Sequence, residues 1–409
     1  MKKKFNIATL MLITSLAFAG CANDAGKDAD KANEPAVEEK AEDTKETEDT
    51  KEADSTEDTE AKENEDSKEE SDAEDKEEES EEDTEEAKED TADENTEANN
   101  EESEGNVVLH RSYPDDSPKA FTNVVVATSG NKIVSAFIDE YQYFDDDEKI
   151  NAVPNSDKGF GEGAKEGKVL GSKIDNDKSY SEDLKKAGGT LTLLENYNAI
   201  TDFVKGKTIG ELEELLKEDD EKIMDAVSGA TFSTTPNLLK YIVETAKDDS
   251  YTIAGEANNP DEIELRYALG APHGDKSFAN AVVAVEGDKI IAASIDEYQY
   301  IQDGKTKQGE DSDFAKGYKD SKVVLASKLE NNDIYSDLMA DKAKATNTIK
   351  ANFEAIEKFV AGKTIDEIKE TIAGATEGEA IEAVSGATLV DTAGYLQLIV
   401  DTVENPINK

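Results

Sequence analysis

The sequence predicts an α+β protein: two tandem copies of one domain, each a hairpin-based sheet with helices packed on it, behind a disordered acidic tether. Three observations carry this expectation. Residues 22–104 hold about 40 acidic and about 9 basic side chains, no aromatic residue, and Val37 as their one aliphatic residue larger than Ala. Aromatic and β-branched residues return after Gly105. From there the chain repeats itself: Asp139-Glu140-Tyr141-Gln142-Tyr143 recurs as Asp296-Glu297-Tyr298-Gln299-Tyr300, and Ala226-Val227-Ser228-Gly229-Ala230-Thr231 recurs as Ala383-Val384-Ser385-Gly386-Ala387-Thr388, both at an offset of 157. A period this long is a duplicated domain and not a solenoid.

The first segment, residues 1–20, runs from Lys2, Lys3 and Lys4 through an apolar stretch, Ile7 to Phe18, to the small pair Ala19 and Gly20. A charged start, an apolar middle and a small-residue end read as a secretory signal. Cys21, the one cysteine of the chain, follows directly and completes a segment that resembles a bacterial lipobox, with Phe18 where that pattern favours an aliphatic residue. The resemblance implies that Cys21 is acylated and that the mature chain is held on the extracellular face of the cell membrane. Two acyl chains suffice for stable anchoring where one is marginal.

Residues 21–104 have the composition of a chain that cannot bury enough apolar surface to fold. As an uncharged coil the stretch would span roughly 50 Å, and self-repulsion extends it. It reads as a tether that lifts the following domains off the membrane, or as solvated filler. The whole chain carries a net charge of −52 at a pI of about 4.2, which repels phosphate backbones and argues against nucleic acid as a partner. Hydrophobic residues make up 36% of it, too few for a polytopic membrane protein. One Cys and two His cannot build a disulfide scaffold, a Cys-rich zinc site or an iron–sulfur cluster.

The two copies span residues 105–255 and 256–409, with the polar stretch Glu256-Ala257-Asn258-Asn259-Pro260 between them. In the first, Asn123 to Thr128 and Ile133 to Tyr143 flank Ser129-Gly130-Asn131-Lys132, a strand–turn–strand pattern. Ala281 to Tyr300 repeats it around Glu286-Gly287-Asp288-Lys289. Leu193, Leu194, Tyr197, Ile200, Phe203 and Val204 fall at helical spacing, as do Ile349, Phe353, Ile356, Phe359 and Val360. Gly206-Lys207-Thr208-Ile209 recurs as Gly362-Lys363-Thr364-Ile365, and Thr208 with Glu211, like Thr364 with Glu367, has the spacing of a capping box. A last helix follows each Ser-Gly-Ala-Thr segment. Pro236 suits its opening turn in the first copy, with Leu238, Leu239, Ile242 and Val243 on the buried face; Tyr395, Leu396, Ile399 and Val400 take those places in the second.

The junction into that last helix is the candidate site. Small side chains, hydroxyls and backbone N–H groups ahead of a helix N-terminus suit an anion; the plain alternative is a small-residue turn with capping hydroxyls. Asp225-Ala226-Val227-Ser228-Gly229-Ala230-Thr231 resembles the D-x-x-S-G-A-T flavinylation motif of the FMN-binding domain family, found in flavin-carrying subunits of sodium-pumping quinone reductase and related complexes. In that family a magnesium-dependent flavin transferase uses FAD to esterify the final Thr with the phosphate of FMN. The resemblance implies one covalent FMN on Thr231 and a second on Thr388. Ser228, Gly229 and Ala230, and in the second copy Ser385, Gly386 and Ala387, would surround the phosphates. Glu382 stands where the motif has Asp, which keeps the charge and changes the reach.

Lipoprotein signal, acidic tether and paired domains together resemble the extracellular electron-transfer lipoproteins of Gram-positive bacteria. That resemblance implies electrons taken from a membrane quinone-linked donor and passed to extracellular acceptors such as ferric iron. It also implies an electron carrier more than a stand-alone enzyme. The other class left open is a tethered extracellular binding or adhesion protein without flavin. Tyr141, Tyr143, Tyr298 and Tyr300 offer rings for stacking on a flavin, or pack as ordinary sheet residues. Glu140 and Glu297 read as solvated or hydrogen-bonded structural acids, His110 and His273 as surface residues, and Lys207 and Lys363 as surface charge beside a helix start.

Overall fold

A computed structural model describes residues 105–305 and 312–408; the expected signal segment, Cys21 and the tether lie outside them. Each half opens with an antiparallel meander. β1 (Asn106–Ser112), β2 (Phe121–Ser129), β3 (Lys132–Asp145) and β4 (Lys168–Ser172) lead into helices α1 (Asp177–Lys186), α2 (Leu193–Val204), α3 (Ile209–Leu215), α4 (Asp220–Ala226) and α5 (Thr235–Thr245). A short β5 (Thr252–Glu256) then returns to pair with β1, giving a sheet ordered β4-β3-β2-β1-β5. The second half repeats the meander as β6 (Glu264–Gly270), β7 (Ser277–Glu286), β8 (Lys289–Gln302) and β9 (Val323–Ser327). It continues through α6 (Asn332–Ala343), α7 (Ile349–Val360), α8 (Ile365–Ala373) and α9 (Thr392–Glu404). The described residues are thus mixed α and β, with two antiparallel sheets and nine α-helices.

Local chemistry accounts for the placement of the helices. Thr192 caps α2 in a box with Glu195, and Thr208 and Thr364 close the expected boxes with Glu211 and Glu367 at α3 and α8. Pro236 lies in the first turn of α5, where its missing N–H costs no bond. The Gly-Lys-Thr-Ile segments do more than carry surface charge. The N–H of Ile133 donates to the Lys207 carbonyl at 2.9 Å and that of Ile290 to Lys363 at 3.0 Å, so each segment clips onto the start of a long strand. The ammonium groups of Lys207 and Lys363 lie 4.3 and 4.7 Å from the ring centroids of Phe203 and Phe359.

The helices α2 and α5 cover one face of the first sheet, and α7 and α9 cover one face of the second. The other faces of the sheets meet each other, which makes four layers. This is why β2 is buried along eight of its nine residues and β7 along nine of ten. Tyr141, Phe121, Phe160, Phe278, Tyr298 and Phe314 fill the space between the sheets. Each such ring withdrawn from water contributes roughly 1.5–3 kcal/mol. The halves therefore share a core, and the described residues form one compact unit.

Candidate functional site

The repeated Ser-Gly-Ala-Thr loops take up the same conformation in both halves. In the first, α4 ends at Ala226, Val227 turns its side chain into the core, and Gly229 adopts a φ of 100°. Gly386 repeats this with a φ of 94°. That backbone suits glycine, and a methyl group at Gly386 would lie 3.3 Å from the Cβ of Ala355. Ala230 and Ala387 are buried and pin the loops, whereas Ser228, Thr231, Ser385 and Thr388 are exposed.

A buried asparagine holds each threonine. Asn196 of α2 accepts at Oδ1 from the Thr231 N–H at 2.6 Å and from the Thr231 hydroxyl at 3.0 Å. Its own amide donates to the Thr192 carbonyl at 2.7 Å, which fixes which end faces the threonine. Asn352 of α7 does the same for Thr388, at 2.6 and 3.2 Å, and donates to Thr348 at 2.8 Å. Both asparagines are wholly buried. With its proton engaged on the protein side, each threonine oxygen turns its lone pairs toward solvent. Nothing in the motif pointed to these asparagines. The available signal was a polar residue on an otherwise apolar helix face at matching places in two helices.

The loops are poorer anion cradles than the motif suggested. Of the four N–H groups from Ser228 to Thr231, three are engaged: Ser228 with the Ala226 carbonyl at 3.0 Å, Ala230 with Val227 at 3.2 Å, and Thr231 with Asn196. Ala387 and Thr388 are engaged likewise. What each loop presents is an accessible, oriented hydroxyl. Asp225 lies exposed in the last turn of α4, while Glu382 lies in a turn, its approach interrupted by Gly374 and Gly378. Glycine is a poor helix former, so the Asp-to-Glu difference coincides with a change of local structure.

The other singled-out residues lie elsewhere. Tyr141 and Tyr298 are wholly buried with rings 5.3 Å apart, and the hydroxyls of Tyr143 and Tyr300 meet at 2.7 Å. The burial of Tyr141 and Tyr298 removes them as stacking platforms. Glu140 is held by Lys173, Tyr197 and Ser117, and Glu297 by Lys328, Tyr395 and Ser277. Burial pushes the Glu140 carboxyl up, but the charge of Lys173 and the hydroxyl of Tyr197 bring it below its ordinary value. His110 is buried, not a surface residue, bonded to the Asp248 carbonyl at 3.1 Å and Thr128 Oγ1 at 3.0 Å; His273 meets Asp391 at 2.7 Å.

A cleft of about 270 Å³ opens between α2 and β6, lined by Asn198, Asp202, Lys205 and Arg266 among others, and no motif residue borders it. Among the described residues no group of three or more His, Cys, Asp or Glu is placed to hold a metal, and no helix is long and apolar enough to cross a membrane. No family model, curated protein or solved structure matches the chain.

Proposed function

We propose that the chain is a surface-anchored flavoprotein built of two tandem FMN-binding domains, with FMN esterified to Thr231 and Thr388. The observation that carries this reading is the duplicated exposed threonine, its hydroxyl oriented by a buried asparagine behind a left-handed glycine. The fit concerns attachment. Loops that spend three of four N–H groups internally in the first half, and those of Ala387 and Thr388 in the second, would grip a free phosphate weakly, so retention outside the cell calls for a covalent bond. The threonine oxygen would form the bond to phosphorus as the pyrophosphate of FAD breaks, AMP leaves and the hydroxyl proton is lost. A flavin transferase would catalyse that step. Bound FMN carries one or two electrons without a side-chain metal ligand, which suits a chain with one Cys and two His.

In this reading Cys21 anchors the chain to the membrane, residues 21–104 give reach, and the paired domains relay electrons from a quinone-linked donor to extracellular acceptors such as ferric iron. Tethering raises the effective concentration of the carrier at both ends of its path.

The test is a denaturing gel of the full chain expressed with and without a flavin transferase. A fluorescent band that appears only with the transferase is the expected result. A colourless chain beside a modified control acceptor overturns the reading and favours the tethered binding protein.

A further inference from the structure

The two halves meet through contacts that recur with the halves exchanged. Lys165 N–H donates to the Gly317 carbonyl at 2.8 Å, and Lys319 N–H to Gly163 at 3.0 Å. Phe160 N–H donates to Asp275 at 2.7 Å, and Phe314 N–H to Pro118 at 3.0 Å. Tyr300 covers Gly163 and Tyr143 covers Gly317 so closely that a Cβ would fall 2.2 and 2.0 Å from the ring. This is the pattern of an isologous dimer interface written into one chain.

The exchange fails around Arg111, where Tyr113 donates to Asp296 in one half and Tyr267 donates to Asp139 in the other. Strand register fixes the correspondence: Val125 pairs with Arg111 and Phe137, and Val282, its counterpart in the repeat, pairs with Tyr267 and Ser294. Arg111 thus corresponds to Tyr267, and Phe137 to Ser294. Tyr267 packs on Phe137 with ring centroids 4.6 Å apart. Arg111, wholly buried, instead donates through Nε to Ser294 Oγ and through Nη2 to the Ser294 carbonyl, both at 2.8 Å. Its Nη1 donates at 2.9 Å to Oδ1 of Asn123 and at 2.9 Å to Oδ1 of Asn280. Asn123 and Asn280 are themselves counterparts, each paired with the repeated aspartate, Asp139 or Asp296. Nη1 thus bridges the two counterpart oxygens at equal distance, and one guanidinium serves both halves.

We infer that Arg111 is a pairing key which makes the inner face of each half fit one partner, the other half. First half with second half brings one guanidinium to two amide oxygens. First with first would bring two guanidinium groups to that point, two buried charges in one place. Second with second would bring none, and two buried amide oxygens would lose their donor. Either error leaves buried polar groups uncompensated, which is how a buried charge specifies an association without adding to its strength. The inference rests on these contacts alone and is independent of the flavin reading.

The test moves the key across the axis in the full chain. Arg111→Tyr with Ser294→Phe removes it; Tyr267→Arg with Phe137→Ser doubles it; the four changes together transfer one guanidinium to the other half. Urea unfolding gives the midpoint for each. The key predicts that both pairs unfold well below the wild type and that the fourfold variant unfolds above both pairs. A fourfold variant that unfolds at or below the better of the two pairs, or does not fold, overturns the inference, because effects local to each half would accumulate.

Discussion

Lys328 and Glu297 form an ion pair closed off from solvent, with Nζ and Oε2 2.7 Å apart and side chains 1% and 0% exposed. Lys173 and Glu140 hold the corresponding place in the first half at 3.0 Å, with side chains 7% and 13% exposed. Breaking a buried pair from one side strands the other charge, which costs about 3–5 kcal/mol. Lys328→Met is therefore expected to destabilise the protein by that order, and Lys173→Met by less, because water reaches Glu140. Urea titrations of the two variants give the comparison.

Asn196→Ala removes the acceptor for both the N–H and the hydroxyl of Thr231. Because Thr231 is exposed and water can take over its donors, each lost bond costs about 0.5–1.5 kcal/mol. In the flavin reading it also slows modification of Thr231 and leaves Thr388 unaffected, since Asn352 serves that site separately. Peptide mass spectrometry at a fixed, short exposure to the transferase separates the two sites.

Burial pushes Glu357 up to about 7 from an ordinary 4.5, despite the bond from the Ile295 N–H and the nearby charge of Arg111. Burial also raises Asp139 to about 6. A carboxyl with a raised value binds more protons folded than unfolded, so its contribution is favourable below the ordinary value and is lost as pH rises through the folded one. These groups favour stability near pH 5 over pH 8. Glu357→Gln, which keeps the acceptor for Ile295, is expected to raise stability at pH 8 by roughly 1–3 kcal/mol. It should also flatten the dependence between pH 4.5 and 7 in urea titrations across that range.

The contact of Tyr143 with Gly317 leaves no room for a methyl group. Gly317→Ala should overpack the junction by about 1–3 kcal/mol, and adding Tyr143→Ala should make the double variant less damaged than the sum of the single ones. Thermal unfolding of the three variants measures the coupling.

What could be read from the sequence was what is local. The long hairpins, α2, α7 and both predicted capping boxes follow from side-chain period and cap chemistry. The helices α1 and α6 were not foreseen: their apolar stripes are short, Tyr180 with Leu184 and Tyr335 with Met339, and only partly buried. Sheet-on-sheet packing is a long-range outcome. Its trace was the unbroken Val124-Val125-Val126, a run that fits a strand covered on both faces. The threonines of the candidate site stood out through repetition. Their asparagines did not, since a polar residue on a buried helix face becomes meaningful only when its partner is in place. His110 was misjudged because its two hydrogen bonds come from β2 and from the loop before β5, which no local pattern joins.

The most direct test of the central claim is intact mass spectrometry of the full chain made with a flavin transferase, comparing wild type with Thr231→Ala, Thr388→Ala and both. The account predicts two FMN-sized additions, one lost with each single change and both lost in the double variant. An unmodified wild-type chain, under conditions that modify a known acceptor, would contradict it.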